Sequence, residues 1–404
     1  MTFASTVDDR WMSVGLNTVL IPERLLIAHA RGEVLFITGA GTSMSSGLPD
    51  FRDLVLKAYK ALDSSTHAVL SSRPPADGSL RPPSQLTDKQ LAEVSRFDRG
   101  DYDVVLGMLE RRIDGQAIGK LRPELGRLLR TTVGPSGAEL DARPSELHRV
   151  LMRLADRGHA VTIATTNFDR LLQASTQRKV STHSLGGIPR PGRGTEFAGV
   201  LHIHGVLNSD LQQPSEFIAT DRDFGEFYLR RRVVPDFIYD AARLFNLVLV
   251  GYSANDAPMR YLLNAVAADG LRFDDLKERF AFVASPVPAE PTLEDWRSRG
   301  ITPIPYERTA AHAQLVSTLK CWSELSAFNG DPRKIERLIK RIVGTPRKVA
   351  IDADRDLFDH LIRRGSGIER QHLAKIASEA GADFDWLDAV LDIELEPRRG
   401  GGAR

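Results

Sequence analysis

The stretch Glu33 to Asp53, E-V-L-F-I-T-G-A-G-T-S-M-S-S-G-L-P-D-F-R-D, sets small and hydroxyl-bearing residues directly behind an apolar run. Val34 to Thr38 is short, nearly all apolar and rich in β-branched residues, which suits a strand buried on both faces of a parallel sheet. Gly39, Ala40 and Gly41 break that run, and glycines there let the backbone turn sharply and a ligand approach the main chain. Thr42, Ser43, Ser45 and Ser46 follow, with hydroxyls fit to cap a helix or bind phosphate oxygens. Strand, tight turn and helix start together predict an anion site. It is not the G-x-G-x-x-G dinucleotide fingerprint. Met44 stands where the third glycine belongs, and no suitable acid follows about 20 residues on, at the end of a second strand.

Three further strand ends carry polar residues. Ala160 to Thr165 runs into Thr166-Asn167-Phe168-Asp169, a strand, a polar turn and a helix start. Val200 to Gly205 reads as a strand with His202 and His204 on one face by its period of two. Leu247 to Val250 opens into Gly251-Tyr252-Ser253-Ala254-Asn255-Asp256. Ligands of parallel sheets bind at the carboxyl ends of strands, so these ends are expected to converge.

The elements that must position them follow from patterning. Residues 12–31 read as a helix with Leu16 in its apolar stripe and Pro22 near a break, leading into the first strand, and 54–70 and 86–132 as helical, separated by a Ser/Pro/Gly/Asp-rich loop at 71–83. Leu147 to Arg157 is an amphipathic helix, with Gly158 as its C-cap. A helix through Phe237 to Phe245, a strand at Phe280 to Ala284 and a proline-marked edge strand at Ile301 to Tyr306 come next. Amphipathic helices are expected at 333–343, 355–364 and 372–391, the basic run 333–342 being either a solvated face or a partner or nucleic-acid surface. Their apolar faces must be buried against the core, another copy or a partner chain, and self-association is the favoured expectation.

With 404 residues the chain is long enough for two or three domains. A net charge of +1 gives no global reason to expect nucleic-acid or membrane binding. No apolar run approaches the length of a membrane span, and Met1 to Trp11 does not read as a secretory signal, so a cytoplasmic protein is expected. Cys321 is the one cysteine, which excludes an internal disulfide and a four-cysteine zinc site.

The string G-A-G-T-S-M-S-S-G-L-P-D-F-R resembles the NAD-binding loop of the sirtuin family. T-T-N-F-D and G-Y-S-A-N-D are similar to the forms found in sirtuin-like proteins of prokaryotic defence systems, and H-G at 204–205 is similar to the sirtuin histidine motif. The resemblance runs from about residue 31 to 320. It implies an α/β fold with a Rossmann-like parallel sheet, helices on both faces, a helical small-domain insertion and a helical C-terminal extension. The expected boundaries are 1–54 with 141–320, 55–140, and 321–404. It further implies NAD as substrate, with no metal. Gly39, Ala40, Gly41, Thr42, Ser43, Asp50, Phe51, Arg52, Asp169, Gly251, Ser253 and Asp256 would border NAD, and Asn167 and His204 would be catalytic. The backbone amides of Gly39 to Ser43 would hold the pyrophosphate, and His202 is expected to serve packing. Three activities stay open: an NAD hydrolase of anti-phage defence, an NAD-dependent protein-lysine deacylase, and a non-catalytic NAD or ADP-ribose module. Sirtuin-like chains of this size often work beside a second protein, such as a hexameric DNA-translocating ATPase.

Overall fold

The computed structural model describes residues 10–72, 86–115, 119–134, 138–192, 196–208, 216–252, 263–266, 268, 276–285, 290–308 and 312–395. Eleven strands are described: β1 (Trp11–Ser13), β2 (Leu20–Pro22), β3 (Val34–Thr38), β4 (Thr131–Val133), β5 (Glu139–Asp141), β6 (Thr162–Thr165), β7 (Thr182–Ser184), β8 (Gly199–His202), β9 (Asn246–Val250), β10 (Arg279–Ser285) and β11 (Thr302–Glu307). Seven form one sheet in the order β11-β10-β9-β3-β6-β8-β7. Every neighbouring pair in it is parallel. This is the expected Rossmann-like arrangement.

The alternation within β3 explains why the sheet takes helices on both faces. Val34 and Phe36 join one core with the helices Glu23–Ala30, Glu146–Ala155 and Ala313–Leu325. Leu35 and Ile37 join the opposite core with Val233–Leu244 and Glu290–Ser298. All five β3 residues are buried, as a central parallel strand requires. From β3 the chain moves to β6 on one side, and later returns to β9 on the other. The carboxyl ends of β3 and β9 therefore flank the point where the sheet's winding reverses, the usual ligand crevice of such sheets.

The opening segment differs from the helix expected over 12–31, although the break does fall at Pro22. β1 and β2 pair as an antiparallel hairpin, and the helix begins only at Glu23. The turn between them needs Asn17 at φ +56, a left-handed conformation that asparagine tolerates better than most residues. Leu16, counted in the expected apolar stripe, is 92% exposed at that turn.

Between β3 and β6 the insertion packs Phe51–Leu62, Ser64–Ser71, Asp88–Asp98, Tyr102–Ile113 and Leu121–Leu128 around its own core. Its first helix starts at Phe51, and Leu54 lies in that core, so the insertion begins a turn before residue 55. Arg112 ties three of its elements together. Its guanidinium lies 2.7 Å from both Asp63 and Glu93, and Glu93 also accepts from the Tyr59 hydroxyl at 2.9 Å.

At the other end, the helix Ala313–Leu325 belongs to the main core, because Leu315, Leu319 and Trp322 are buried there. The boundary at 320/321 thus falls inside a core helix. Beyond it, Pro332–Val343, Asp352–Arg364, Gly367–Glu379 and Phe384–Leu395 close on a separate core around Trp386 and Phe358. The expected helix at 372–391 is two helices, broken where Gly381 takes φ +83. Their apolar faces are covered largely by one another. The bundle also touches the main body at Glu23, 3.2 Å from Arg363. A cavity of about 340 Å³ at this seam is lined by arginines and carboxylates that largely pair, Arg363 with Glu23 and Arg347 with Asp359. No described helix is long and apolar enough to cross a membrane.

The assignment of Ala313–Leu325 to the core can be measured. Trp322→Ala should lower the unfolding free energy by about 3–5 kcal/mol, the usual range for a buried aromatic, in urea denaturation. A loss under about 1 kcal/mol would contradict it.

Candidate functional site

The site is assembled by an approach of two backbones. Gly39 caps the short helix Ala40–Met44 at the end of β3, and its N–H donates to the Val250 carbonyl at 3.1 Å. The Gly41 N–H donates to the Gly251 carbonyl at 2.8 Å. A Cβ on Gly41 would stand 2.9 Å from Gly251 Cα, and one on Gly251 would stand 2.5 Å from the Thr42 nitrogen. Gly251 also has φ +61. No other residue type permits these two loops to touch without displacing one of them. Three amides of the loop, those of Gly39, Gly41 and Thr42, thus already have carbonyl acceptors. Of these, the Gly39 and Gly41 donors close the two loops, and the Thr42 donor closes its own turn.

Side chains then fill the space above the glycines. Thr42 donates its hydroxyl to the Gly39 carbonyl at 2.8 Å, and Ser43 donates to Asp169 at 2.8 Å. Both hydroxyls have spent their hydrogen and can only accept further bonds. Asn167 supplies these, its Nδ2 donating to Thr42 Oγ1 at 3.1 Å and to Ser43 Oγ at 2.9 Å. The network therefore fixes the orientation of the amide and leaves Oδ1 to accept from elsewhere. Asp169 also accepts from the Leu171 N–H at 3.0 Å, and burial pushes its carboxyl above the ordinary value. Thr165 holds the Asn167 backbone N–H at 3.0 Å.

Two histidines outside the expected site brace this group. His148 Nε2 lies 3.4 Å from Ser43 Oγ, while its Nδ1 meets the Ser145 hydroxyl at 2.8 Å in a capping box. His202, expected to serve packing, binds the Asn167 carbonyl through Nδ1 at 2.9 Å and Gln173 through Nε2 at 2.7 Å. With Gln173 donating to Nε2, the remaining proton sits on Nδ1 and points at Asn167. Burial pushes both His148 and His202 down to about 4, so both are neutral at ordinary pH. The Ser145-x-x-His148 spacing was a usable signal for the first. Nothing local to the sequence marks the second, because its partners lie on β6's loop and the following helix.

His202 and His204 do not share a strand face. β8 ends at His202, and His204 lies in the turn beyond it. His204 Nε2 is 2.7 Å from the Tyr228 hydroxyl, and burial pushes its ring down to about 3. The turn is nevertheless beside Asn167, since Thr165 pairs with His202 and its carbonyl accepts from the Ile203 N–H at 2.9 Å.

The remaining expected residues are placed as follows. Asp50 caps the insertion's first helix through the Asp53 N–H at 2.7 Å. Phe51 meets Tyr102 edge-on, and the Arg52 guanidinium lies over the Phe97 ring, so both side chains face the insertion. Ser253 and Asp256 lie outside the described residues. Among the described residues there is no group of three or more His, Cys, Asp or Glu side chains that could hold a metal ion. Phe224 packs edge-on against His204, while Glu226 turns outward to Arg230 and Arg231.

Residues 161–304 match the family model described as a SIR2-like domain, a stretch that holds Asn167, Asp169, His202, His204 and Gly251. The chain is similar to the uncharacterized protein y4cA of Sinorhizobium fredii, 34% identical over 370 residues. That alignment covers 85% of this chain and 28% of the relative, so the chain spans little more than a quarter of its length. Similar solved structures include a Sir2 homologue mutant in complex with ADP ribose, at 14% identity and a TM-score of 0.31, covering 75% of this chain and 97% of that one. Another, concerning the mechanism and regulation of Sir2 enzymes, gives 16% identity and a TM-score of 0.29, covering 75% and 99%. The strand order and registers, not these scores, establish the fold.

Two outcomes test the site's construction. Gly251→Ala should destabilise the protein by roughly 1–3 kcal/mol through strain and overpacking, read as a fall in the denaturation midpoint. An unchanged midpoint would mean the loops do not meet. The second concerns acid. His148, His202 and His204 have folded values below the ordinary 6.5, so the unfolded chain binds more protons as pH falls through that value. Stability should then drop between about pH 6.5 and 4, by at most roughly 1.4 kcal/mol per pH unit for each histidine. Asp169, raised by burial, works in the opposite sense as a single group. Unfolding midpoints that are flat over this window would contradict neutral, buried imidazoles.

Proposed function

We propose that this chain is an NAD hydrolase that cleaves the bond between nicotinamide and ribose, releasing nicotinamide and ADP-ribose. The observation that carries the reading is the convergence of Asn167, Ser43, Thr42 and Asp169 over the joined glycine loops at the reversal point of the sheet. Cleavage of this bond leaves positive charge on the sugar, as in other glycosyl transfers. Nicotinamide departs neutral, so the site needs no acid to protonate it.

The residues fit the needs of that reaction. Asn167 Oδ1, left as an acceptor by the hydroxyl network, is suited to a ribose hydroxyl. Asp169, which accepts from Ser43 and Leu171, has lone pairs left to accept from a carboxamide N–H. His204 is the candidate base for the attacking water. The SIR2-like match over residues 161–304 supports NAD as substrate. T-T-N-F-D, G-Y-S-A-N-D and the single cysteine favour hydrolysis over deacylation, since the zinc module of deacetylase sirtuins has no ligands here. The same features support a role as an NAD-depleting effector in prokaryotic anti-phage defence.

Purified protein incubated with NAD should release nicotinamide and ADP-ribose, separated by chromatography. Asn167→Ala should lower turnover by roughly 100-fold or more while the unfolding midpoint stays near wild type. An acetyl-lysine peptide, added in parallel, should leave the product pattern unchanged. Formation of an O-acyl-ADP-ribose would instead establish the deacylase, and absence of any NAD cleavage would refute the hydrolase.

A further inference from the structure

His204 is held by a residue that no sequence motif indicated. After the one-turn helix Asp221–Phe224 the chain continues as a π-helical turn, Gly225–Arg230. Such turns are rare and recur at functional sites, because the extra residue re-aims side chains that an α-helix would place elsewhere. Here the turn carries Phe227 and Tyr228 into the core. Tyr228 packs at 5.2 Å from Phe224, and both rings meet His204 at 5.8 Å. The Tyr228 hydroxyl reaches His204 Nε2 at 2.7 Å. Among the described residues no hydrogen bond holds the other ring nitrogen, and Nδ1 is not sealed in the interior as an unpartnered atom.

The two nitrogens are therefore unequal. Nε2 is sequestered against a phenol, and Nδ1 is the atom left for a ligand. A neutral imidazole has one proton. If Nδ1 is to take a proton from substrate, that proton must sit on Nε2 and the Tyr228 oxygen must accept it.

We propose that Tyr228 is a positioning residue for the reaction, fixing His204 as the Nε2–H tautomer so that Nδ1 faces the attacking water. The inference rests on the hydrolase reading for its catalytic consequence, not for its geometry. In the step it serves, the water oxygen bonds to the ribose carbon as the bond to nicotinamide breaks. The electron pair of that bond stays on the nicotinamide nitrogen. One water proton passes to His204 Nδ1, and the resulting imidazolium keeps its Nε2–H bond to the Tyr228 oxygen. An acceptor there stabilises the charged ring in an apolar surrounding that otherwise disfavours it.

The test uses the full chain. Tyr228→Phe keeps the ring and its packing and removes only the hydroxyl. It should lower kcat by roughly 10- to 100-fold, by analogy with the loss of a partner that orients a metal-bound histidine, with KM changed less than about twofold. Nitrogen-15 NMR of histidine-labelled protein reads the tautomer without NAD, the His204 signal being identified by its loss in His204→Ala. Wild type should show a protonated Nε2 and an unprotonated Nδ1 at neutral pH. Tyr228→Phe should shift that signal towards a tautomer mixture. An Nδ1–H tautomer in wild type overturns the proposal, as does wild-type kcat in the phenylalanine variant. Should that variant not fold, the wild-type spectrum decides by itself. A wild-type protein that cleaves no NAD refutes the hydrolase reading, whereas the tautomer is decided independently.

Discussion

The contact of Gly41 with Gly251 is the constraint on which the site depends. Two loops leaving adjacent parallel strands come close enough for a backbone hydrogen bond of 2.8 Å, at a separation where a Cβ has no room. This contact joins the first strand of the sheet to a strand that the chain reaches only much later. It also decides which groups remain for a ligand. The Gly39 and Gly41 amides spend their donors on closure, while Asn167 donates to the hydroxyls of Thr42 and Ser43 above them. The two segments act as one surface only because neither carries a side chain at the point of contact.

Desolvation governs the chemistry of that surface. Asp169 is raised and the surrounding histidines are lowered, each by burial first, so the ionised forms are disfavoured throughout. In such surroundings every proton has an assignable place. Thr42 and Ser43 donate inward, Asn167 donates to them, and His202 is fixed by Gln173 and the Asn167 carbonyl. Hydrogen bonds in a medium of low dielectric are strong when complete and costly when one member is missing. The same property makes the network rigid enough to hold an amide oxygen in place for a ligand.

The insertion and the C-terminal helices stand in different relations to this centre. The insertion is tied to it directly: Arg122 bonds Glu110 of its own domain together with Asp223 and the Phe217 carbonyl of the main body. Asp223 lies in the one-turn helix that leads into the π-helical turn bearing Tyr228, so the insertion braces the element behind His204. The C-terminal bundle meets the main body elsewhere, at β1 and the helix Glu23–Ala30. That helix feeds β3, whose far end carries the glycines, so a bond path exists from the bundle to the site through one strand.

The sequence by itself determined the strands and their polar ends. Val34 to Thr38, Ala160 to Thr165 and Leu247 to Val250 are apolar runs too short for helices, and each ends in residues that only a loop at a ligand crevice would use. Short-range chemistry of that kind is legible because it depends on residue type and spacing. The hairpin before Glu23 was not legible, because a left-handed Asn17 and a proline-started helix overrode the apolar spacing. Tertiary structure alone decided the partners: His202 with the Asn167 carbonyl, His148 with Ser43, Tyr228 with His204. The members of these pairs stand 35, 105 and 24 residues apart in the chain, beyond the reach of any local pattern. Such pairings follow from how the sheet is wound and where a π-helical turn aims a ring, and neither leaves a periodic or local trace in the order of residues.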